Sequence, residues 1–134
     1  MATVAQKVRN LYKALLGREP DKEGLRYWVN VARKKGFNEV LKNFTKSKEA
    51  RQKLAGKSSS EIIRHIYRNA FGREPDKAGM RFWSNVARTK SSNPAFLAAA
   101  ITGGARGSDV NRLKMSAETT KRILSHTHAT SKPR

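Results

Sequence analysis

The apolar positions at the start of the chain recur at the spacing of one helix face. Val4, Val8, Leu11, Tyr12 and Leu15 follow one another at i, i+4, i+7, i+8 and i+11. This spacing is typical of an amphipathic α-helix that buries one side. The same kind of pattern returns in later segments, and no alternating run indicates a β-strand. The chain is therefore predicted to be all-α.

Local signals set the ends of the first two helices. Thr3 and Gln6 have the spacing of a capping box, and Gly17 fits a left-handed helix stop. Pro20 suits the first turn of the next helix, where a missing N–H costs nothing, and Asp21 places negative charge near its positive end. The second helix is expected to end before Gly36 and to turn inward the apolar residues Leu25, Trp28, Val31 and Ala32.

This helix–turn–helix unit occurs twice. Residues 8–35 align with residues 63–90 at an offset of 55, and 16 of the 28 positions are identical. Both copies are built around Gly-Arg-Glu-Pro-Asp, and Ser58 and Glu61 again form a capping box at the start of the second. The second copy also carries two apolar stripes: Ile62, Ile63, Ile66, Tyr67 and Ala70, then Met80, Trp83, Val86 and Ala87.

The first copy continues into two more predicted helices. Apolar residues between Phe37 and Phe44 mark a short third helix. Ser47 suits the N-cap of a fourth helix, which runs to about Leu54.

The second copy loses this pattern. Pro94 begins a helix that runs to Ile101, but the glycine-rich segment 103–107 is expected to replace the fourth helix with a flexible joint. Residues 108–125 have weak helical character, and residues 126–134 are expected to be irregular. The predicted organisation is a first helical repeat (1–56) and a second (57–103), packed as one helical domain, plus a basic C-terminal arm (104–134).

Positive charge is spread along the whole chain. There are 29 Lys and Arg residues against 10 Asp and Glu, a net charge of +19. The first repeat carries 14 basic and 5 acidic residues, the second 8 and 3, and the arm 7 and 2. Such a field attracts nucleic acid, an anionic membrane surface or an acidic protein, and it exceeds what solubility requires. The charge predicts a polyanionic or acidic partner and leaves these three open.

Two interpretations apply to the Gly-Arg-Glu-Pro-Asp motif. Its arginine could bind an anion at a helix N-terminus. Alternatively, Arg18 pairs with Asp21, and the motif fixes the angle between the helices. The second interpretation is favoured because every residue has a folding task, and because a catalytic site seldom needs two copies. The structural set is Gly17, Arg18, Pro20, Asp21, Gly24 and Trp28, and again Gly72, Arg73, Pro75, Asp76, Gly79 and Trp83.

Partner binding is assigned to two basic surfaces. The second helix of each copy carries a polar triplet on one face, at i, i+4 and i+7: Arg26, Asn30 and Arg33, then Arg81, Asn85 and Arg88. Such stripes can hold phosphates or acidic side chains, and a merely solvated face is the alternative. The arm adds seven cations, as a binding arm or a solubilising tail. Lys132 and Arg134 lie near its end, and partner binding is assigned to the other five: Arg106, Arg112, Lys114, Lys121 and Arg122.

The sequence offers little for catalysis. His65 lies beside an apolar stripe, and His126 and His128 are too few for a metal site. Cysteine is absent, and no nucleophile triad or phosphate-binding glycine loop occurs. We therefore expect no enzyme activity, cofactor, metal or small-molecule substrate. Tyr27 and Phe82 are expected to pack within the fold, with stacking on nucleic-acid bases as the alternative.

The motif from Leu11 to Trp28, Leu-Tyr-x-x-x-Leu-Gly-Arg-Glu-Pro-Asp-x-x-Gly-Leu-x-Tyr-Trp, resembles that of a widespread bacterial and phage domain family of unknown function. That family is similar to the linker domain of phycobilisome linker polypeptides. Its later Phe-x-x-Ser-x-Glu is present here as Phe44, Ser47 and Glu49. The second copy departs from this pattern with Ala99, Thr102 and Gly104. The resemblance covers residues 4–102.

The resemblance implies a role in assembly without chemistry. Members occur in surface-layer, secreted and phage structural proteins, and the linker relatives join other proteins into large assemblies. We therefore expect a structural protein of a virion that docks through its basic surface and arm, with a nucleic-acid-binding protein that contacts phosphates as the alternative. Residues 1–7 lack the apolar run of a signal peptide, and no membrane span is apparent. The alternative location is the cytoplasm, or the cell surface without a Sec signal.

Overall fold

The computed structural model describes the backbone of residues 2–131 and the side chains of residues 2–125. These residues form one helical domain and contain no strand, so the all-α prediction is confirmed. The helices are α1 (Val4–Leu11), continued by a π-helical turn (Tyr12–Leu16), α2 (Lys22–Lys35), α3 (Phe37–Phe44), α4 (Lys48–Leu54), α5 (Ser59–Phe71), α6 (Lys77–Thr89), α7 (Pro94–Gly103), α8 (Ser108–Lys114) and α9 (Ala117–Ser131). Within the described backbone, none of them is long and apolar enough to cross a membrane.

The predicted capping boxes and the Ser47 cap are confirmed. Thr3 Oγ1 accepts the N–H of Gln6 at 3.2 Å, and Gln6 Oε1 accepts the N–H of Thr3 at 2.9 Å. Ser58 and Glu61 make the same reciprocal pair of bonds at the start of α5. Ser47 caps α4 through the N–H of its third residue. Each pair satisfies backbone donors that a helix start otherwise leaves without a partner. The placement of Pro20 in the first turn of the second helix is wrong, because Asp21 is the N-cap and α2 begins at Lys22.

The first helices of the two repeats form the centre of the core. α5 packs across the π turn, and α7 packs against both α1 and α5. The predicted stripes supply the fully buried side chains, among them Val8, Leu11, Leu15, Ile63 and Ile66. Val4 is the exception, since it lies in the first turn of α1 and is 39% exposed.

The two repeats fill their cores with different aromatic side chains. In the first, Phe44 of α3 packs edge-on against Tyr12, with 5.2 Å between the ring centroids. The equivalent residue of α7 is Ala99. The second repeat instead has Phe71 at the end of α5, which packs edge-on against Tyr67 at 5.3 Å. In the second repeat, an aromatic side chain on the first helix of the repeat, α5, thus takes the place of the one that the first repeat carries on its third helix, α3.

The C-terminal residues fold onto the repeats. α8 packs against α5 as α4 packs against the π turn, and α9 also packs against α5. The expectation that segment 103–107 replaces the fourth helix is wrong, because α8 begins directly after it. The expectation of irregular backbone is wrong for residues 126–131, because α9 continues to Ser131 from turns already packed on α5. Residues 132–134 lie outside the described residues.

Candidate functional site

The Gly-Arg-Glu-Pro-Asp turn has almost the same backbone in both repeats. Gly17 and Gly72 both have φ +66°, in the left-handed region that residues other than glycine rarely adopt, and they end the π turn and α5. Asp21 and Asp76 then cap α2 and α6 by accepting the N–H three residues later, at 2.6 and 2.7 Å. The turn is therefore a helix stop followed at once by a helix start.

The motif arginines bind carboxylates within the fold. Arg18 donates through Nε and Nη2 to the two oxygens of Glu49, both at 2.7 Å. Arg73 makes the same two-pronged contact with Asp109, at 2.9 and 2.7 Å. The interpretation that Arg18 pairs with Asp21 is wrong, because Asp21 caps α2 while Glu49 reaches the guanidinium from α4.

These pairs leave the motif arginines poorly suited to bind an external anion. Each guanidinium also donates through Nη1 to the next backbone carbonyl, at 3.0 Å, and lies over the tyrosine ring of its own repeat. The hydrogen bonds with Glu49 raise the pKa of Arg18 and lower that of the Glu49 carboxyl. Asp109 likewise raises the pKa of Arg73. Three of the five N–H donors of each guanidinium, including the pair that would bind a phosphate in a two-pronged contact, are thus engaged within the fold.

The first turn also holds the C-terminal segment. Lys13 lies in the π turn with only 3% of its surface exposed, and its ammonium donates to the carbonyls of Arg112 and Leu113 at the end of α8. Burial lowers the pKa of Lys13 to about 8. Glu19 Oε2 accepts the N–H of Ala117, the first residue of α9, at 3.0 Å. Two charged side chains thus secure both sides of the α8–α9 connection.

Two other polar side chains satisfy carbonyls at helix ends. His65 Nε2 lies 2.8 Å from the carbonyl oxygen of Leu15 and must donate, because that oxygen carries no proton. Desolvation by burial lowers the pKa of His65 and favours its neutral form. Arg112 donates in the same way to Phe71 at the end of α5. Arg112, predicted to bind a partner, is therefore half-buried and bonded within the fold.

The two polar triplets lie on exposed faces of α2 and α6. All six side chains are exposed: Arg26, Asn30, Arg33, Arg81, Asn85 and Arg88. Within each face the backbone is regular α-helix, and Arg88 donates a hydrogen bond to Asn85. We call these the triplet faces.

An aromatic ring accompanies each triplet face. Tyr27 is 60% exposed and Phe82 59% exposed, so the expectation that they pack within the fold is wrong. Each ring stands edge-on to the tryptophan that follows it, at 4.9 Å. The sequence pattern already indicated this exposure, because the inward stripe of α2 includes Leu25 and Trp28 but not Tyr27.

A groove of about 970 Å³ lies between α1, α3, α7 and α8. Apolar side chains line much of it, and so do Lys7, Arg9 and Lys114. Sequence reasoning assigned only Lys114 to a binding surface, because the groove forms where helices from both repeats and the C-terminal segment meet.

Two stretches of the chain, residues 2–54 and 41–91, match the family described as "Domain of unknown function (DUF4214)". The chain belongs to the DUF4214 family. It carries two overlapping matches, in line with the predicted duplication. No curated protein and no solved structure matches the chain.

The DUF4214 matches end before α7. The triplet faces on α2 and α6 therefore lie within matched residues, whereas α7, α8 and α9 lie beyond them. The groove combines both kinds of segment, since α1 and α3 are matched and α7 and α8 are not.

The remaining predicted binding residues lie on the C-terminal segment. Arg106, Lys114, Lys121 and Arg122 are exposed. The side chains of His126 and His128 lie outside those described. Among the described residues, no group of three or more His, Asp or Glu is placed to hold a metal ion.

Proposed function

We propose that this DUF4214 protein is a non-enzymatic assembly protein of a virion, which docks onto an acidic protein surface through its triplet faces and C-terminal segment. The observation that carries the proposal is the distribution of ion pairs. Among residues 2–125, carboxylates pair with Arg18, Arg68 and Arg73. The arginines of the triplet faces have no such pair there and are open to solvent.

Duplication gives this surface two equivalent parts. Arg26, Asn30 and Arg33 on α2 recur as the triplet on α6, and both helices pack against the same hydrophobic core. Two linked sites on one partner raise the effective affinity well above that of either site alone. Repetition of a weak basic face is thus a physical route to firm docking.

The C-terminal segment adds cations from a fixed position. Lys121 and Arg122 project from α9, and Arg106 from the turn before α8. The contacts of Lys13 and Glu19 hold this segment against the first repeat. The virion setting itself rests on the resemblance to a family that occurs in phage structural proteins.

The test is incorporation into particles. We expect the protein to co-sediment with virions purified from the native source. Reversing the four arginines of the triplet faces to glutamate should abolish incorporation, because it opposes like charges at the interface. The matched control reverses four exposed lysines on or beside α3 and α4: Lys42, Lys46, Lys48 and Lys53. Equal loss in both variants, or a protein absent from particles, would contradict the proposal.

The exposed aromatic rings favour nucleic-acid binding as a second candidate function. Tyr27 follows Arg26 and Phe82 follows Arg81, so each face offers a ring for base stacking beside a cation for phosphate. Fluorescence anisotropy with single-stranded DNA at increasing salt tests this, because phosphate contacts weaken steeply with salt. Tyr27→Ala with Phe82→Ala should weaken binding by roughly tenfold or more. Absence of a complex at low salt would eliminate this function.

A further inference from the structure

The geometry points to a second docking site: the groove between α1, α3, α7 and α8 binds an acidic amphipathic helix of a partner protein. The inference deepens the proposed function, on which it rests, by giving the acidic partner a recognised segment and a site separate from the triplet faces.

The floor of the groove is apolar and is made by both repeats. Leu41 of α3 and Phe96 of α7 occupy equivalent positions at the offset of 55, and both half-buried side chains line the groove. Asn93 ties the two helices together by donating to the carbonyl of Leu41 at 3.3 Å. Leu113 and Met115 extend the floor along the C-terminal segment, and Met115 is 36% exposed.

The rim of the groove is basic. Lys7 and Arg9 of α1 and Lys114 of α8 line it, and all three are exposed. None of them makes an ion pair among the described residues. The ammonium of Lys7 lies 5.4 Å from the ring centroid of Phe37, another residue of the lining. The acidic residue of the lining, Glu19, already accepts the N–H at the start of α9.

The polar groups buried in the lining do not suit a small molecule. Lys13 donates to two carbonyls of α8, and Thr102 donates to the carbonyl of Ala98 at 2.7 Å. Small-molecule sites instead present a few unengaged polar groups that orient the ligand. The two buried polar side chains of the lining are thus already engaged, and much of the remaining lining is apolar.

The positive charge of the protein determines which kind of partner the groove can bind. A second copy of this chain would bring the same net charge of +19 and be repelled. An amphipathic helix with Leu-like residues at i, i+4 and i+7 fits an apolar floor, and acidic residues on its flanks meet the three rim cations. A volume of about 970 Å³ accepts the buried side of a helix of two to three turns (~11 residues).

The experiment titrates the full chain into a fluorescein-labelled peptide of leucine and glutamate, about 14 residues long, in an amphipathic helical pattern. A permuted peptide of identical composition is the first control. The rim variant, Lys7→Glu with Lys114→Glu, is matched by Lys42→Glu with Lys90→Glu, which changes the net charge equally at exposed positions outside the groove. Circular dichroism and thermal unfolding show that each variant is folded.

We expect the patterned peptide to bind, the rim variant to weaken binding by at least about tenfold, and the matched control to change it by less than about twofold. Met115→Glu should also weaken binding, because it places a carboxylate on the floor. Equal binding of the permuted peptide, equal effects of the two double variants, or binding only to mixed phosphatidylcholine/phosphatidylglycerol vesicles would overturn the inference. If virion incorporation then still depends on the triplet faces, the groove assignment fails and the proposed function stands.

Discussion

The two Gly-Arg-Glu-Pro-Asp turns make nearly identical internal contacts but differ in what their flanking charges hold. Lys13 and Glu19 in the first repeat bind opposite sides of the α8–α9 connection. Their equivalents in the second repeat, Arg68 and Glu74, pair with each other in solvent. The motif therefore determines the backbone of the turn by itself. Whether the charged residues that flank it make structural contacts depends on which segment packs beside the turn.

The different contacts of Lys13 and Arg68 agree with the chemistry of the two side chains. The lysine ammonium is a compact charge with three donors, which suits the narrow space beside two successive carbonyls at the end of a helix. The arginine guanidinium is a planar fork, which suits a carboxylate. Backbone geometry differs at the same place, because residues Tyr12–Leu16 form a π turn while α5 stays a regular α-helix.

The largest difference is expected from truncating the two cations. Lys13→Ala should lower the free energy of unfolding by about 3 kcal/mol, because it removes a buried stem and leaves two carbonyls of α8 without their donor. Arg68→Ala should cost less than about 0.5 kcal/mol, since it breaks an exposed ion pair. Urea unfolding followed by circular dichroism measures both.

A second variant separates packing from hydrogen bonding. Lys13→Met keeps most of the stem volume and removes the donors, so it should retain part of the lost stability. Equal destabilisation by Lys13→Ala and Arg68→Ala would show that the C-terminal segment is not held through Lys13.

The next largest difference concerns the glycine three residues after each capping aspartate. A Cβ at Gly24 would lie 2.5 Å from the Tyr12 hydroxyl and 2.8 Å from the Asp21 carboxylate, closer than real side chains approach. A Cβ at Gly79 would meet the equivalent atoms at 3.2 and 3.1 Å. We expect Gly24→Ala to cost about 2 kcal/mol from this overlap. Gly79→Ala should be nearly neutral, because the helix propensity of alanine offsets the tighter fit.

Thermal unfolding of the two variants gives the comparison. Adding Tyr12→Phe to Gly24→Ala removes the hydroxyl that the new methyl group meets, so the double variant should lose less than the sum of the single changes. Additive losses would place the strain elsewhere in the first turn.

A smaller effect is expected from the titration of Lys13. Its pKa is lowered from the usual 10.5 to about 8, so the unfolded chain binds more protons between these values. Stability should therefore rise with pH across this window, by about 1.5 kcal/mol between pH 8 and 9.5. The Lys13→Met variant measures how stability changes with pH through all the other groups, and it should lack this rise. Stopping at pH 9.5 avoids Tyr12 and Tyr67, whose raised pKa values lower stability at higher pH.

Sequence reasoning succeeded where the residues that determine a feature lie within one helical turn of it. The capping boxes at Thr3 and Ser58 join residues three apart, and the glycine stops depend on a single φ angle. These signals fixed the first helices and their turns without knowledge of the tertiary contacts.

Sequence reasoning did not predict the contacts between residues that are far apart in the chain. Glu49, the partner of Arg18, lies 31 residues away and was recognised only as part of a motif. In the second repeat a fixed offset of 55 leads to Gly104, whereas Asp109 of α8 makes the contact. The burial of Lys13 and the groove depend on where α8 packs, which no local pattern encodes.

The smallest predicted difference is between the two motif arginines. The Asp109 side chain is 16% exposed and that of Glu49 38%, so removing Arg73 strands a more desolvated carboxylate than removing Arg18. We expect Arg73→Ala to cost about 2 kcal/mol and Arg18→Ala about 1 kcal/mol in urea unfolding. Arg73→Ala should also free α8 for cleavage in limited proteolysis. Lysine at either position keeps the charge but not the two-pronged contact, so it should restore little. A larger loss from Arg18→Ala would mean that α4 secures its repeat more firmly than α8 does, even though Asp109 is the more buried carboxylate.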